Sequence, residues 1–339
     1  MKKPILLAAF VAVMFGANAE AEKAFERGLK AHRCDNYTQA IADYDQAIGL
    51  DPKYEDAYNN RGNDYYKLGD TSKAITDFNQ AIKLDPKNAI AYNNRGYAYA
   101  NLGDTSKAIA DYSQAIKLNP NDAEAYYNRW IVYDDLDDYN KSIADYTQAI
   151  KIDPNDAGVY YNRGLAYYNL SDDNKAIADY TQAIKLNLNY IDAYNNRGIA
   201  YGRLGDYSKA IADYSQAIKI DPSNATIYFN RGIAYADLGD YNKAIPDYSQ
   251  AIKTNSNYTA AYNNRGNAYS RLGDYPKAIA DYTQAIKTNS NYTAAYNNRG
   301  IAYAMLDDYK SSAKDARKAC ELGDCDLLEL LSKEKFIRD

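Results

Sequence analysis

Few side chains in this sequence of 339 residues are suited to covalent chemistry. His32 is the only histidine, and Cys34 stands two residues beyond it, a spacing that does not share a helix face. That argues against a Cys/His nucleophile pair and against a shared metal site. No glycine-rich phosphate loop, zinc-ligand spacing or nucleophile elbow is present. The sequence thus points away from an enzyme and implies neither a metal nor a cofactor. Cys320 and Cys325 flank Gly323, and in an oxidising compartment they are expected to form a disulfide. Cys34 takes the position of Leu68 and Leu102, which predicts a buried thiol.

What recurs is polar. Arg27, Arg61, Arg95, Arg129, Arg163, Arg197, Arg231, Arg265 and Arg299 are each 34 residues apart, with no insertion or deletion. Sixteen residues after each comes an aspartate: Asp43, Asp77, Asp111, Asp145, Asp179, Asp213, Asp247, Asp281 and Asp315. An arginine packed between helices needs a partner or leaves a poorly solvated charge. The constant offset predicts semi-buried, bidentate ion pairs that fix how helices stack. Whether each aspartate serves its own repeat or the next is left open. A row of arginines reading an anionic ligand is disfavoured, because the aspartates would neutralise it. One residue before the arginines runs a second row: Asn60, Asn94, Asn128, Asn162, Asn196, Asn230, Asn264 and Asn298, with Glu26 in the first repeat.

A fixed period of this length is the mark of stacked helical hairpins, each unable to bury its apolar face alone. In the second repeat, helix A is expected from Glu55 to Leu68, with Gly69 closing it in the left-handed conformation and Asp70 capping helix B. Helix B has its body from Lys73 to Leu84, and Pro86 is expected to stop it. Glycine is missing from the turns at Asp137, Ser171 and Asp307, where the caps should survive but the turns should fray. Tyr58, Arg61, Gly62 and Tyr65 share one face of helix A; Ala74, Phe78 and Ala81 share one face of helix B. Trp130 replaces the helix-A glycine and must splay the helices or turn outward, as a drifted repeat or an aromatic anchor. The Asp134, Asp135, Asp137 and Asp138 cluster nearby lacks calcium-loop spacing and reads as a solvated turn.

The series Tyr58, Gly62, Tyr65, Ala74, Phe78, Ala81 and Pro86 resembles the tetratricopeptide repeat signature. The resemblance spans nine units at 21–54, 55–88, 89–122, 123–156, 157–190, 191–224, 225–258, 259–292 and 293–322. It implies an all-α, right-handed superhelical solenoid, closed by a capping helix in 323–339 with Leu327, Leu328, Leu330 and Leu331 inward. The resemblance also implies that helix A lines a concave groove. The asparagine row would then run along it and pair with the backbone of an extended peptide, unless it bridges neighbouring helices instead. Selectivity would come from variable positions: Tyr127, Tyr161 and Phe229 in one row, and Ile131, Leu165, Ile199 and Ile233 in another. The lysines that some relatives use to clamp a carboxylate are missing from these rows.

The N-terminus reads as an export signal over 1–19. Lys2 and Lys3 precede an apolar run from Ile5 to Gly16, and Ala17-Asn18-Ala19 offers a cleavage site. The run is short for a span of about 20 residues, so no stable membrane span is expected after cleavage, and the product would be periplasmic or secreted. The net charge of −5 argues against a nucleic-acid binder. A non-enzymatic scaffold binding a protein or peptide, in the cell envelope, is the expected function. The alternative is a polysaccharide or cell-wall binder, since 38 tyrosines could stack on sugars.

Overall fold

The computed structural model describes residues 3–334, and among them the chain is helical, with no strand. It divides into two compact units, Met1–Asn155 and Asp156–Asp339. The first holds α1 (Lys3–Arg33), α2 (Tyr37–Leu50), α3 (Glu55–Lys67), α4 (Thr71–Leu84), α5 (Ala89–Asn101), α6 (Thr105–Leu118), α7 (Ala123–Asp135) and α8 (Tyr139–Ile152). The second holds α9 (Ala157–Asn169), α10 (Asp173–Leu186), α11 (Ile191–Arg203), α12 (Tyr207–Ile220), α13 (Ala225–Asp237), α14 (Tyr241–Thr254), α15 (Thr259–Arg271), α16 (Tyr275–Thr288), α17 (Thr293–Ala304), α18 (Tyr309–Glu321) and α19 (Asp326–Lys333). Odd-numbered helices up to α17 are A helices, each paired with the B helix that follows it.

Local sequence sets each hairpin. At the α3–α4 turn Gly69 has φ +85°, so the amides of Gly69 and Asp70 reach back to the carbonyls of Tyr66 and Tyr65 at 2.9 and 2.8 Å. The Asp70 carboxylate then accepts the Lys73 amide at 3.1 Å. Asp137, Ser171 and Asp307 adopt the same left-handed conformation, with φ of 56°, 61° and 57°. Their turns keep the same backbone hydrogen bonds as the glycine turns. The Tyr139 and Tyr309 hydroxyls donate to Asp137 and Asp307. One cap expected to survive is lost: Asp138 makes no side-chain cap bond, and its carboxylate engages Lys141 Nζ.

Proline is not what ends the B helices. Where Leu188, Ser256 and Ser290 replace it, α10, α14 and α16 stop at the same repeat position as α4. The common device is an extended Asp or Asn after the last helical residue. Asp85, Asn187, Asn255 and Asn289 each accept the amide two residues on, at 2.9 to 3.1 Å.

Inside each hairpin a buried ring of helix B lies on the glycine of helix A. A Cβ on Gly62 would come within 2.7 Å of the Phe78 ring, and one on Gly198 within 2.7 Å of the Tyr214 ring. The ninth repeat has Ala316 in place of that ring, and Leu327 of α19 fills the space, 2.7 Å from a Cβ on Gly300. The end helix therefore completes the last repeat's core. Leu327 and Leu331 are buried and Leu328 partly so, but Leu330, expected inward, is 56% exposed. Residue 336, where that helix was expected to end, lies outside the described residues.

Trp130 does not turn outward. It is buried, with its ring centroid 4.5 Å from that of Tyr146 and 4.9 Å from that of Tyr127. Asp134, expected in a solvated turn, accepts the Tyr146 hydroxyl. The expected leader and the first repeat's A helix form one helix, α1, so cleavage after Ala19 would fall within it; Met1 and Lys2 lie outside the described residues. Among the described residues no helix is long and apolar enough to cross a membrane. Cys320 and Cys325 are disulfide-bonded between α18 and α19. Cys34 is exposed, not buried. It shares the turn-end position of Leu68 and Leu102, which are 52% and 58% exposed themselves.

Candidate functional site

The A helices carry the arginines, and the structure assigns each aspartate to its own repeat. From Arg61 to Arg299, Nε and Nη2 fork onto the two carboxylate oxygens sixteen residues on, at 2.5 to 2.8 Å. Side-chain exposure is 16% for Arg61 and 6% for Asp77, so these are largely desolvated pairs. Within each unit the remaining nitrogen, Nη1, reaches back to the preceding repeat's B helix. Arg61 meets Asp45, Arg95 meets Asn79, Arg129 meets Ser113, and in the second unit Arg197, Arg231, Arg265 and Arg299 meet Thr181, Ser215, Ser249 and Thr283. One guanidinium thus locks a hairpin internally and to its neighbour. Arg27 has no preceding repeat. It makes a single 3.1 Å contact to Asp43 and its side chain is 50% exposed.

Some of the tyrosines flank this arrangement. Arg61 lies over the Tyr58 and Tyr65 rings, Arg95 over Tyr92 and Tyr99, and Arg231 over Tyr228 and Tyr235, at 5.4 to 6.0 Å. Rings so engaged are not a free platform for sugars.

Much of the asparagine row is tied between repeats. Asn94 donates to Asn59, Asn128 to Asn93, Asn230 to Asn195, Asn298 to Asn263 and Asn196 to the Tyr161 hydroxyl, at 2.9 to 3.1 Å. Asn60 donates to its own helix at the Asp56 carbonyl, and Asn162 is half-buried. Asn264 accepts from Asn263 at 3.3 Å. Each of these bonds uses one edge of a two-edged group. Asn94, Asn230, Asn264 and Asn298 still line open recesses.

The two expected selectivity rows separate. Tyr161 and Phe229 are packed between hairpins, against Tyr180 and Tyr190, and against Tyr248 and Tyr258. Tyr127 is 49% exposed but lies edge-on to Trp130. Tyr161 and Phe229 therefore take part in repeat packing. The other row faces outward. Ile131 is 38% exposed, Leu165 is half-buried, and Ile199 and Ile233 line recesses.

In the second unit the recesses join into a furrow along the A helices. One of about 200 Å³ lies among Ile199, Tyr207, Asn230, Ile233 and Asp237. The next, about 260 Å³, shares Ile233 and Asp237 and adds Asn264, Asn267 and Arg271. A third, about 540 Å³, shares Asn267 and Arg271 and adds Asn298, Ile301 and Met305. The first unit has a separate recess of about 390 Å³ lined by His32, Asn63, Tyr66, Lys67, Asn94, Tyr97 and Glu124. Sequence reasoning missed Tyr207, Tyr241 and Tyr275, which open the B helices and form one furrow wall. Their signal was a tyrosine recurring directly after the capping aspartate.

Models of the tetratricopeptide repeat match most of the chain. One description, TPR repeat, matches residues 31–69, 62–103, 132–171 and 203–239; another, tetratricopeptide repeat, matches 89–122, 157–190, 225–258 and 259–292; a third, also tetratricopeptide repeat, matches 179–212. The chain is a tetratricopeptide repeat protein. No curated protein matches it over its sequence. Among solved structures it is similar to a tetratricopeptide repeat protein from Parabacteroides merdae ATCC 43184, at 20% identity over 72% of this chain and 97% of that one, with a TM-score of 0.53. It is also similar to YrrB, described as a TPR protein with an unusual peptide-binding site, at 22% identity, 56% and 97% coverage and TM-score 0.49. MamA is 26% identical over 47% of this chain and 93% of that one, with a TM-score of 0.46. The tetratricopeptide fold supports protein–protein interaction as the general role.

Proposed function

We propose that this tetratricopeptide repeat protein is a non-enzymatic scaffold of the cell envelope that holds an extended segment of a partner protein along its A-helix face. The observation that carries this is the furrow of the second unit. There Ile199, Ile233 and Ile301 alternate with Asn230, Asn264, Asn267 and Asn298 along one line of recesses. Carboxamides at regular spacing can pair with a peptide backbone whatever its side chains, while apolar floors between them accept alternate side chains. Export rests on the N-terminal pattern of Lys2, Lys3, the apolar run and Ala17-Asn18-Ala19. The polysaccharide alternative is less supported, because many of the tyrosines that suggested it are buried or lie against arginines.

The test is a peptide-display selection on the full chain, followed by affinity measurement of the selected peptides against Ile233→Asp and Asn264→Ala. Losses of tenfold or more in both variants are expected, each about 1.4 kcal/mol. Unchanged affinity in both would remove the furrow from the function. Sequencing the N-terminus of the protein recovered from its native cells tests export; an intact Met1 would overturn that part.

A further inference from the structure

The position of Asp64 is alanine or valine in every later repeat: Ala98, Val132, Ala166, Ala200, Ala234, Ala268 and Ala302. Asp64 is nevertheless fully buried. One oxygen meets His32 Nδ1 at 2.5 Å; the other is buried with no hydrogen-bond partner, as is the Tyr44 hydroxyl. His32 belongs to α1 and Asp64 to α3, so the contact spans repeats one and two. The same interface is linked by Arg61 to Asp45, a carboxylate where later repeats offer neutral Asn, Ser or Thr. His32 also lines the first unit's recess.

We propose that His32 and Asp64 form a pH-responsive joint that holds repeat one against repeat two and loosens as pH rises, and with it the recess at the N-terminal end of the binding face. The regulatory meaning rests on the binding role proposed above; the joint itself does not.

The sign follows from proton counting. Closed, the pair shares one proton between an imidazole and a carboxylate that burial disfavours as an anion. Burial pushes the Asp64 carboxyl above its ordinary value, and the His32 hydrogen bond opposes that. A carboxyl raised in the folded state contributes stability that is complete below the ordinary carboxylate range and is lost as pH rises through the raised value. Opened to water, an imidazole gives up its proton around neutral pH. Rising pH therefore favours the open form on both counts. The other groups do not replace the shared proton. From α2, Tyr37 presents its ring edge to His32 at 5.7 Å, and Tyr44 feels Asp64, Arg33 and Asp43. Across the recess, Lys67 of α3 and Glu124 of α7 have opposite signs.

The experiment is hydrogen exchange of the full chain at about pH 5.5 and 8, with rates corrected for intrinsic chemistry. Protection over residues 21–50 is expected to fall at the higher pH, the direction set by the raised Asp64 carboxyl. Residues 157–320 should hold steady. Asp64→Ala, which installs the common residue of the column, should remove the pH dependence without lowering protection. Because His32 is the only histidine, its ring NMR signal gives a second readout, and that signal should change in Asp64→Asn, where the carboxylate facing Nδ1 is gone. A pH-independent wild type, an Asp64→Ala chain with the same loss, or a His32 ring signal unchanged in Asp64→Asn would each overturn the joint. No partner enters these measurements, so their failure would leave the furrow proposal standing, and its failure would leave the joint.

Discussion

Replacing Arg231 with leucine isolates what the repeated ion pair does. The side chain forks onto Asp247 at 2.7 and 2.7 Å, reaches Ser215 of the preceding repeat at 2.9 Å, and lies over Tyr228 and Tyr235. Its side chain is 20% exposed and that of Asp247 6%. Leucine refills part of the volume but strands a desolvated carboxylate. Two charge-assisted hydrogen bonds at about 1.5–3 kcal/mol each bracket the loss. Breaking one side of a buried pair costs about 3–5 kcal/mol, which falls within that bracket. Removing both charges, as Arg231→Met with Asp247→Leu, should recover most of the loss, because the penalty lies in the orphaned charge. Arg27→Leu is the internal control. That arginine is half-exposed, meets Asp43 through a single 3.1 Å bond and otherwise reaches the neutral Gln46 side chain and the Lys23 carbonyl, so the expected loss is about 0–1 kcal/mol. A repeat array need not unfold in one step, so the assay is hydrogen exchange of α13 and α14 beside a global urea melt. If Arg231→Leu and Arg27→Leu lost the same protection, or the double variant were no better than the single, burial would not be what gives the pair its strength.

Two further outcomes follow from the packing. Gly198→Ala should cost about 1–3 kcal/mol by urea melt, because its Cβ would sit 2.7 Å from the Tyr214 ring, whereas Gly202→Ala on the same helix meets nothing and should be neutral or stabilising. Reducing the Cys320–Cys325 bond, which closes a loop with a sequence separation of 5, should loosen α19 by about 2 kcal/mol, read as lost protection in 326–333 while 157–290 keep theirs.

The hairpin architecture was legible because the repeats state it again: the arginine–aspartate offset holds through the series, and most turns keep the glycine and the capping aspartate. The binding rows were only half legible. Position 61 of the repeat faces inward, but a 34-residue period does not tell whether position 59 or position 63 turns to solvent. That depends on the crossing of successive A helices, and it placed Tyr161 and Phe229 in the packing and Ile199 and Ile233 in the furrow. Proline was credited with a stop that an Asp or Asn makes alone. The His32–Asp64 contact was invisible for a different reason. The histidine was weighed only against Cys34, its neighbour in sequence, while its partner lies 32 residues away and about one repeat on, where stacking brings it alongside. Reading the Asp64 column against its alanines would have flagged it.

That contact also explains how the N-terminal end differs from the rest. Within each unit the later arginines reach back to the repeat before them, so these interfaces are tied by a guanidinium already neutralised within its own hairpin. Arg27 of repeat one is half-exposed and pairs with its aspartate through a single 3.1 Å bond. The interface of repeat one with repeat two combines the Arg61–Asp45 pair with a buried carboxylate on a titratable ring. Arginine keeps its charge across the physiological range, so interfaces built on it are insensitive to pH; histidine does not. Any response of this array to mild changes in acidity should therefore begin at repeat one and leave the isoleucine–asparagine furrow of the second unit in place.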